Sequence, residues 1–91
     1  MMSECPRQTK DFELIQVEDG FVIHEEEKDR VHYLNPIAAA VLAMCDGQTS
    51  TEDIIKQLQE HFCLDEPPEK DVADILNRFL DEGLVTLQAC P

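Results

Sequence analysis

What this 91-residue chain lacks narrows its function before any motif is considered. Basic residues are scarce: 7 Lys and Arg stand against 20 Asp and Glu, a formal net charge of −13. The imbalance is even, with ten acids and four bases in residues 1–47 and ten acids and three bases in residues 48–91. No acidic tail can be removed to leave a basic domain. Nucleic acids and anionic lipid surfaces are captured by Lys and Arg neutralising phosphates, so neither is an expected partner. A basic protein or peptide would instead be steered in.

Glycine is nearly absent too. The 3 glycines each fall at a turn, so there is no Gly-rich loop to cradle a phosphate. The 4 cysteines, at positions 5, 45, 63 and 90, contain no C-x-x-C pair, and a zinc site would have to be assembled from isolated ligands. Free thiols are the expectation, with Cys45 a small buried hydrophobe and Cys5 and Cys90 in frayed ends. The start of the chain lacks the apolar stretch of a signal peptide. The longest apolar run, Ile37–Cys45, is about half a membrane span. These features predict a soluble, cytoplasmic protein with no membrane partner. No Ser-His-Asp or Cys-His arrangement is present, since Ser3 sits in a tail and Ser50 in a helix cap. Carboxylate pairs such as Asp71 and Asp74 read as solvated surface rather than acid and base. The chain is thus expected not to be an enzyme, with no catalytic residue, metal or cofactor.

What is present organises around residues 30–47. Arg30-Val31-His32-Tyr33-Leu34 mixes β-branched, aromatic and polar residues, as a half-buried strand does. Asn35 can cap a helix, and Pro36 suits its first position. Ile37–Cys45 is Ala-rich and apolar, which predicts a central helix stopped at Asp46-Gly47. Upstream, residues 1–10 read as a mobile polar arm. Phe12–Val17 and Phe21–Glu25 are two strand candidates joined at Glu18-Asp19-Gly20. A hairpin centred near Lys28 would set His24 opposite His32, Ile23 opposite Tyr33 and Val22 opposite Leu34. One face would then hold Ile15, Val17, Phe21, Ile23, Val31 and Tyr33, and the other Leu14, Val22, Leu34 and the two histidines. The face left off the helices is too apolar for water alone and should be covered by something. His24 and His32 read as cross-strand polar neighbours rather than metal ligands.

Downstream, Thr49 and Glu52 form a capping box for a helix with Ile54, Ile55, Leu58 and Phe62 on one face. After Asp65-Glu66-Pro67-Pro68, a third helix over Glu69–Glu82 carries the stripe Val72, Ile75, Leu76, Phe79 and Leu80, and Gly83 ends it. Leu84–Leu87 could add a short strand before a tail at 88–91. The fold class is therefore α+β: three N-terminal antiparallel strands, then three helices, in a winged helix-turn-helix-like domain over 11–87. The helix in the DNA-reading position has five acids against Lys70 and Arg78, and would be repelled by the major groove.

The order Leu34-Asn35, Ala38-Ala39, Cys45-Asp46-Gly47, Ile54-Ile55, then Asp71-Val72, Phe79-Leu80 and Gly83-Leu84 resembles the PqqD family, named for a protein of pyrroloquinoline quinone biosynthesis. The resemblance covers about residues 12–87. It implies a peptide-binding module that recognises the leader of a ribosomally made precursor and presents it to a modifying enzyme, often a radical S-adenosylmethionine protein. It further implies that the leader adds as a strand beside Arg30, Val31, His32, Tyr33 and Leu34, in a groove faced by Val72, Ile75, Leu76 and Phe79. Physical reasoning agrees on the mode, since an edge strand offers unpaired backbone groups and apolar pockets select side chains. That helix stripe must also supply core, so it should divide evenly between core and groove. The alternative from another class is a winged-helix interaction protein, a homodimer or docking subunit, that needs no precursor peptide.

Overall fold

A computed structural model describes residues 4–91. The elements in chain order are β1 (Glu4–Gln8), β2 (Ile15–Val17), β3 (Gly20–Glu25), a single 3₁₀ turn (Glu26–Lys28), β4 (Arg30–Leu34), α1 (Pro36–Ala43), α2 (Thr51–His61), α3 (Glu69–Asp81) and β5 (Val85–Ala89). The fold is α+β, with three helices and two antiparallel sheets, ordered β2-β3-β4 and β1-β5.

The helices form where their end signals stand. Asn35 caps α1 by accepting the Ala38 backbone N–H at 2.8 Å, with Pro36 in the first turn. Ala38, Ala39, Val41 and Leu42 are buried, and α1 packs against β3, β4, α2 and α3. Its small side chains let four elements approach one short helix. In α2 the cap is Ser50, accepting the Asp53 N–H at 3.1 Å, not the predicted Thr49. Thr49 is engaged one step earlier, in a turn built on Asp46. That carboxylate accepts from the Gln48 N–H (2.8 Å), the Thr49 N–H (2.9 Å) and the Thr49 hydroxyl (3.2 Å). Helix α3 closes at Gly83, with φ +74; the Gly83 N–H reaches Leu80 O and the Leu84 N–H reaches Phe79 O. This double closure needs a left-handed residue just past the helix, which glycine adopts without a Cβ penalty. The core comprises Ile23, Leu34, the inner faces of the helices, and Leu84 and Val85.

Three expectations are corrected. The first is the register of the central hairpin. Ile23 pairs with His32, Val22 with Tyr33, Phe21 with Leu34 and His24 with Val31. The turn explains the slip: Glu26–Lys28 coil into one 3₁₀ turn closed by Asp29 at φ 48, which fixes Glu25 opposite Arg30. A one-residue shift moves every side chain of the partner strand to the other face. Phe21, Ile23, Glu25, His32 and Leu34 thus lie on the helix side, while Ile15, Val17, Val22, His24, Val31 and Tyr33 lie outside.

The second correction concerns the ends. Residues 4–8 are not a mobile arm, and 88–91 are not wholly a tail: β1 and β5 pair from Glu4–Ala89 to Gln8–Val85. Backbone bonds fasten β1 further, from Gln8 N–H to Cys45 O and from Gly47 N–H to Pro6 O, each 2.9 Å. Glycine suits position 47 because φ there is +79, a left-handed conformation that residues with a Cβ rarely adopt. Met1–Ser3, the rest of the expected arm's start, lie outside the described residues. Third, Cys5 and Cys90 are not free thiols but a disulfide across the ribbon, with Cα atoms 5.1 Å apart. Cys45 is buried and Cys63 exposed, both unbridged. No helix among the described residues is long and apolar enough to cross a membrane.

Candidate functional site

Strand β4 is hydrogen-bonded on one side only, to β3, so its other edge carries backbone donors and acceptors with no strand partner among the described residues. The pleat gives its five residues different surroundings. His32 and Leu34 are buried against the helices, Val31 and Tyr33 point out of the opposite face, and Arg30 is exposed at the turn. The Tyr33 hydroxyl donates to Asp19 O at 3.0 Å, tying the strand across the sheet to the β2–β3 turn.

The expected groove-facing stripe of α3 divides unequally. Val72, Leu76 and Phe79 belong to the core, and Ile75 is partly exposed. Ile75 lines a cleft of about 290 Å³ with Asn35, Ile37, Asp71 and Asp74, at the C-terminal end of β4. The stated edge and this cleft are therefore neighbours, with Ile37 and Ile75 supplying apolar surface and Asp71 and Asp74 an acidic rim. A second concavity, about 550 Å³, lies away from the edge between α1 and α2, lined by Ala40, Ala43, Met44, Gln57, Leu58, Glu60 and His61.

Beneath the edge runs a chain of charges that sequence reasoning missed. His32 Nε2–H donates to Glu25 Oε1 at 3.1 Å, and His32 Nδ1 stands 3.2 Å from Glu82 Oε2. Lys28 Nζ lies 3.7 Å from the other Glu25 oxygen, and Arg78 Nε 3.7 Å from Glu82 Oε2. The sequence Lys28, Glu25, His32, Glu82, Arg78 thus alternates basic and acidic side chains and links β3, β4 and the end of α3. The His32 hydrogen bond, helped by the nearby positive charges, holds the Glu25 carboxyl below the usual carboxylate range against the opposing effect of burial. Glu82 Oε2 is buried with no aligned hydrogen-bond donor among the described residues. The signal that could have found this network is the inward alternation of Glu25 and His32, but it appears only once the register is known.

The two histidines weighed as a pair are not brought together. His24 faces outward, 3.4 Å from Asp29 Oδ1. Among the described residues no group of three or more His, Cys, Asp and Glu is arranged to hold a metal ion. Cys45 donates its S–H to Val41 O at 3.1 Å, and burial pushes its thiol pKa up to about 12, which leaves it a poor nucleophile.

The family model for coenzyme PQQ synthesis protein D (PqqD) matches residues 20–85, from the start of β3 to the first residue of β5. The chain belongs to the PqqD family. Its candidate edge, the cleft beside Ile75 and the Glu25–His32–Glu82 contacts all fall inside the matched span, whereas β1, β2 and both bridged cysteines fall outside it. No curated protein and no solved structure matches the chain significantly. Membership ties this PqqD-family chain to a family named for coenzyme PQQ synthesis.

Proposed function

We propose that this PqqD-family chain is a non-catalytic adaptor. It binds the leader of a ribosomally made precursor peptide as a fourth strand of the β2-β3-β4 sheet, along β4, and presents it to a modifying enzyme of the radical S-adenosylmethionine type. The observation that carries this reading is the one-sided pairing of β4 next to a cleft that has an apolar floor. Strand addition draws affinity from main-chain hydrogen bonds and specificity from pockets for alternate side chains. In this arrangement the backbone of Arg30–Leu34 does the pairing. Ile75 contacts the added strand, while Val72, Leu76 and Phe79 support the wall from the core. The strand-first order with three helices fits a winged-helix-like reading, and the acidic surface of α3 fits a use other than DNA binding.

The test removes backbone donors without aiming at side chains. Along β4, alternate residues point N–H and C=O groups to opposite neighbours. Pro at 31 and Pro at 32 therefore remove donors on opposite edges. One substitution should spare the hairpin and abolish leader binding, and the other should disrupt the hairpin. Calorimetric titration with a synthetic precursor-leader peptide, with thermal melts of both variants, reads the two effects. Two folded variants that bind like wild type would remove β4 as the docking edge.

A further inference from the structure

The outer face of the β2-β3-β4 sheet has nothing packed on it among the described residues. Ile15 is 46% exposed, Val17 39%, Val31 67% and Tyr33 49%. Pairing sets Ile15 beside Val22 and Val22 beside Tyr33, so these side chains form one patch three strands wide. The borders of the patch are mainly acidic: Glu13, Glu18, Asp19 and Asp29 are exposed around it, with Lys28 and Arg30 flanking Asp29 at the hairpin end. Beyond Ile15 and His24 the face opens into a cleft of about 480 Å³ that Asp11, Glu13, Glu25, Glu26 and Glu27 line with Phe12 and Lys10. The one ammonium there is already paired with Glu27. An apolar centre with a mainly acidic border is a recognition surface for an apolar centre bordered by basic side chains.

We propose that this face is a second docking surface, for a protein partner that presents an apolar patch rimmed by Lys and Arg, with one cationic side chain entering the acidic cleft. A second copy of the chain fits poorly. Face-to-face pairing about a two-fold axis would bring the same acidic border against itself, on molecules that each carry −13. Tyr33 and Val31 are the natural anchors, an aromatic and a branched side chain at the most exposed part of the patch. The surface is distinct from the β4 edge. Edge hydrogen bonds lie in the plane of the sheet, whereas these side chains stand perpendicular to it, so both can be occupied together. The inference does not depend on the adaptor reading.

The probe is an amphipathic leucine–lysine helical peptide, with its leucine–glutamate counterpart as control, titrated into the isotope-labelled chain and followed by amide chemical shifts. The leucine–lysine peptide should shift amides of β2, β3 and β4 around Ile15, Val17, Val22, Val31 and Tyr33, more weakly as salt rises. Ile15→Ser with Val31→Ser should weaken that binding about tenfold or more with the circular dichroism unchanged. Should that pair unfold the chain, Glu13→Lys with Glu26→Lys, at exposed positions, serves instead and should weaken binding similarly. Shifts scattered over the acids of α2 and α3, or binding indifferent to the variants, would reduce the effect to bulk charge and overturn the proposal. So would equal binding of the glutamate peptide. A concentration-dependent dimer in sedimentation that Ile15→Ser/Val31→Ser abolishes would assign the face to a second copy and overturn it as well.

Discussion

Reduction of the Cys5–Cys90 disulfide should cost this chain a large part of its stability. The bridge joins residues 85 positions apart, so in the unfolded ensemble it closes nearly the whole chain into one loop. Loop-closure entropy for such a length corresponds to about 4.6 kcal/mol at 25 °C. A domain of this size has a total stability of about 5–14 kcal/mol. Since ~1 kcal/mol moves the midpoint of a small domain by about 4–8 °C, the thermal transition should fall by at least about 15 °C. The measurement is guanidinium unfolding with and without a phosphine reductant, alongside Cys5→Ser/Cys90→Ser without reductant. The double variant should match the reduced wild type, and both should show a steeper denaturant dependence because their unfolded chains expand further. The ribbon itself should survive, since Gln8, Thr9 and Gly47 N–H groups are bonded to Cys45, Leu84 and Pro6 carbonyls independently of the bridge. Slow exchange of those amides in the reduced protein would verify that point. A loss below about 1 kcal/mol would refute the reasoning, because the unfolded chain would then gain little freedom on reduction.

Other outcomes are equally definite. Ile75→Asp, in the cleft beside β4, should weaken leader binding about tenfold or more with the fold unchanged, whereas Leu76→Asp, in the core, should cost several kcal/mol and unfold the domain; calorimetry paired with circular dichroism separates the two, and normal binding by a folded Ile75→Asp would take Ile75 out of the groove. Asp46 is held below the usual carboxylate range chiefly by the Gln48 backbone N–H, with the Thr49 N–H and hydroxyl adding to it. A depressed carboxyl stabilises above its unfolded pKa and loses that contribution as pH falls through the folded value, so the deficit of Asp46→Ala in thermal melts should be full at pH 7 and shrink on acidification. A deficit that stays constant with pH would mean the turn is held by shape and not by charge. A mobility shift with duplex DNA at low salt, where attraction is strongest, should be absent, as both halves of the chain are acidic.

The helices were legible because their signals are local. Asn35-Pro36 opens α1, Gly83 closes α3, and the 3.6-residue stripe Val72, Leu76, Phe79 marks the buried side of α3. The helix cap at Ser50 was missed by one position because Thr49 and Ser50 are chemically equivalent candidates, and only the Asp46 turn decides between them. The β1–β5 ribbon was illegible for a different reason. Glu4-Cys5-Pro6-Arg7-Gln8 has neither alternation nor β-propensity, and everything that holds it comes from far along the chain: Cys90, Cys45, Gly47 and Leu84. An apolar outer face was foreseeable from composition, but its membership was not. The hairpin pairs one residue away from the expected register, which put Val22 and His24 on that face in place of Phe21 and Ile23.

That same register decides how the proposed edge can be tested at all. Of the five β4 residues, His32 and Leu34 point into the core, so substituting them reads stability and the Glu25–Glu82 contacts. Val31 and Tyr33 point out of the sheet, so substituting them reads whatever docks on that face. Arg30 sits opposite Glu25 at the turn and reads the hairpin end. None of the five side chains lies in the direction along which an added strand would pair, because those bonds run in the sheet plane between backbones. A side-chain scan of 30–34 could leave leader binding intact at every exposed position even if β4 were the dock. Loss of a backbone donor at one position and not at its neighbour is therefore the pattern specific to strand addition, and a groove formed by the helices alone would not produce it.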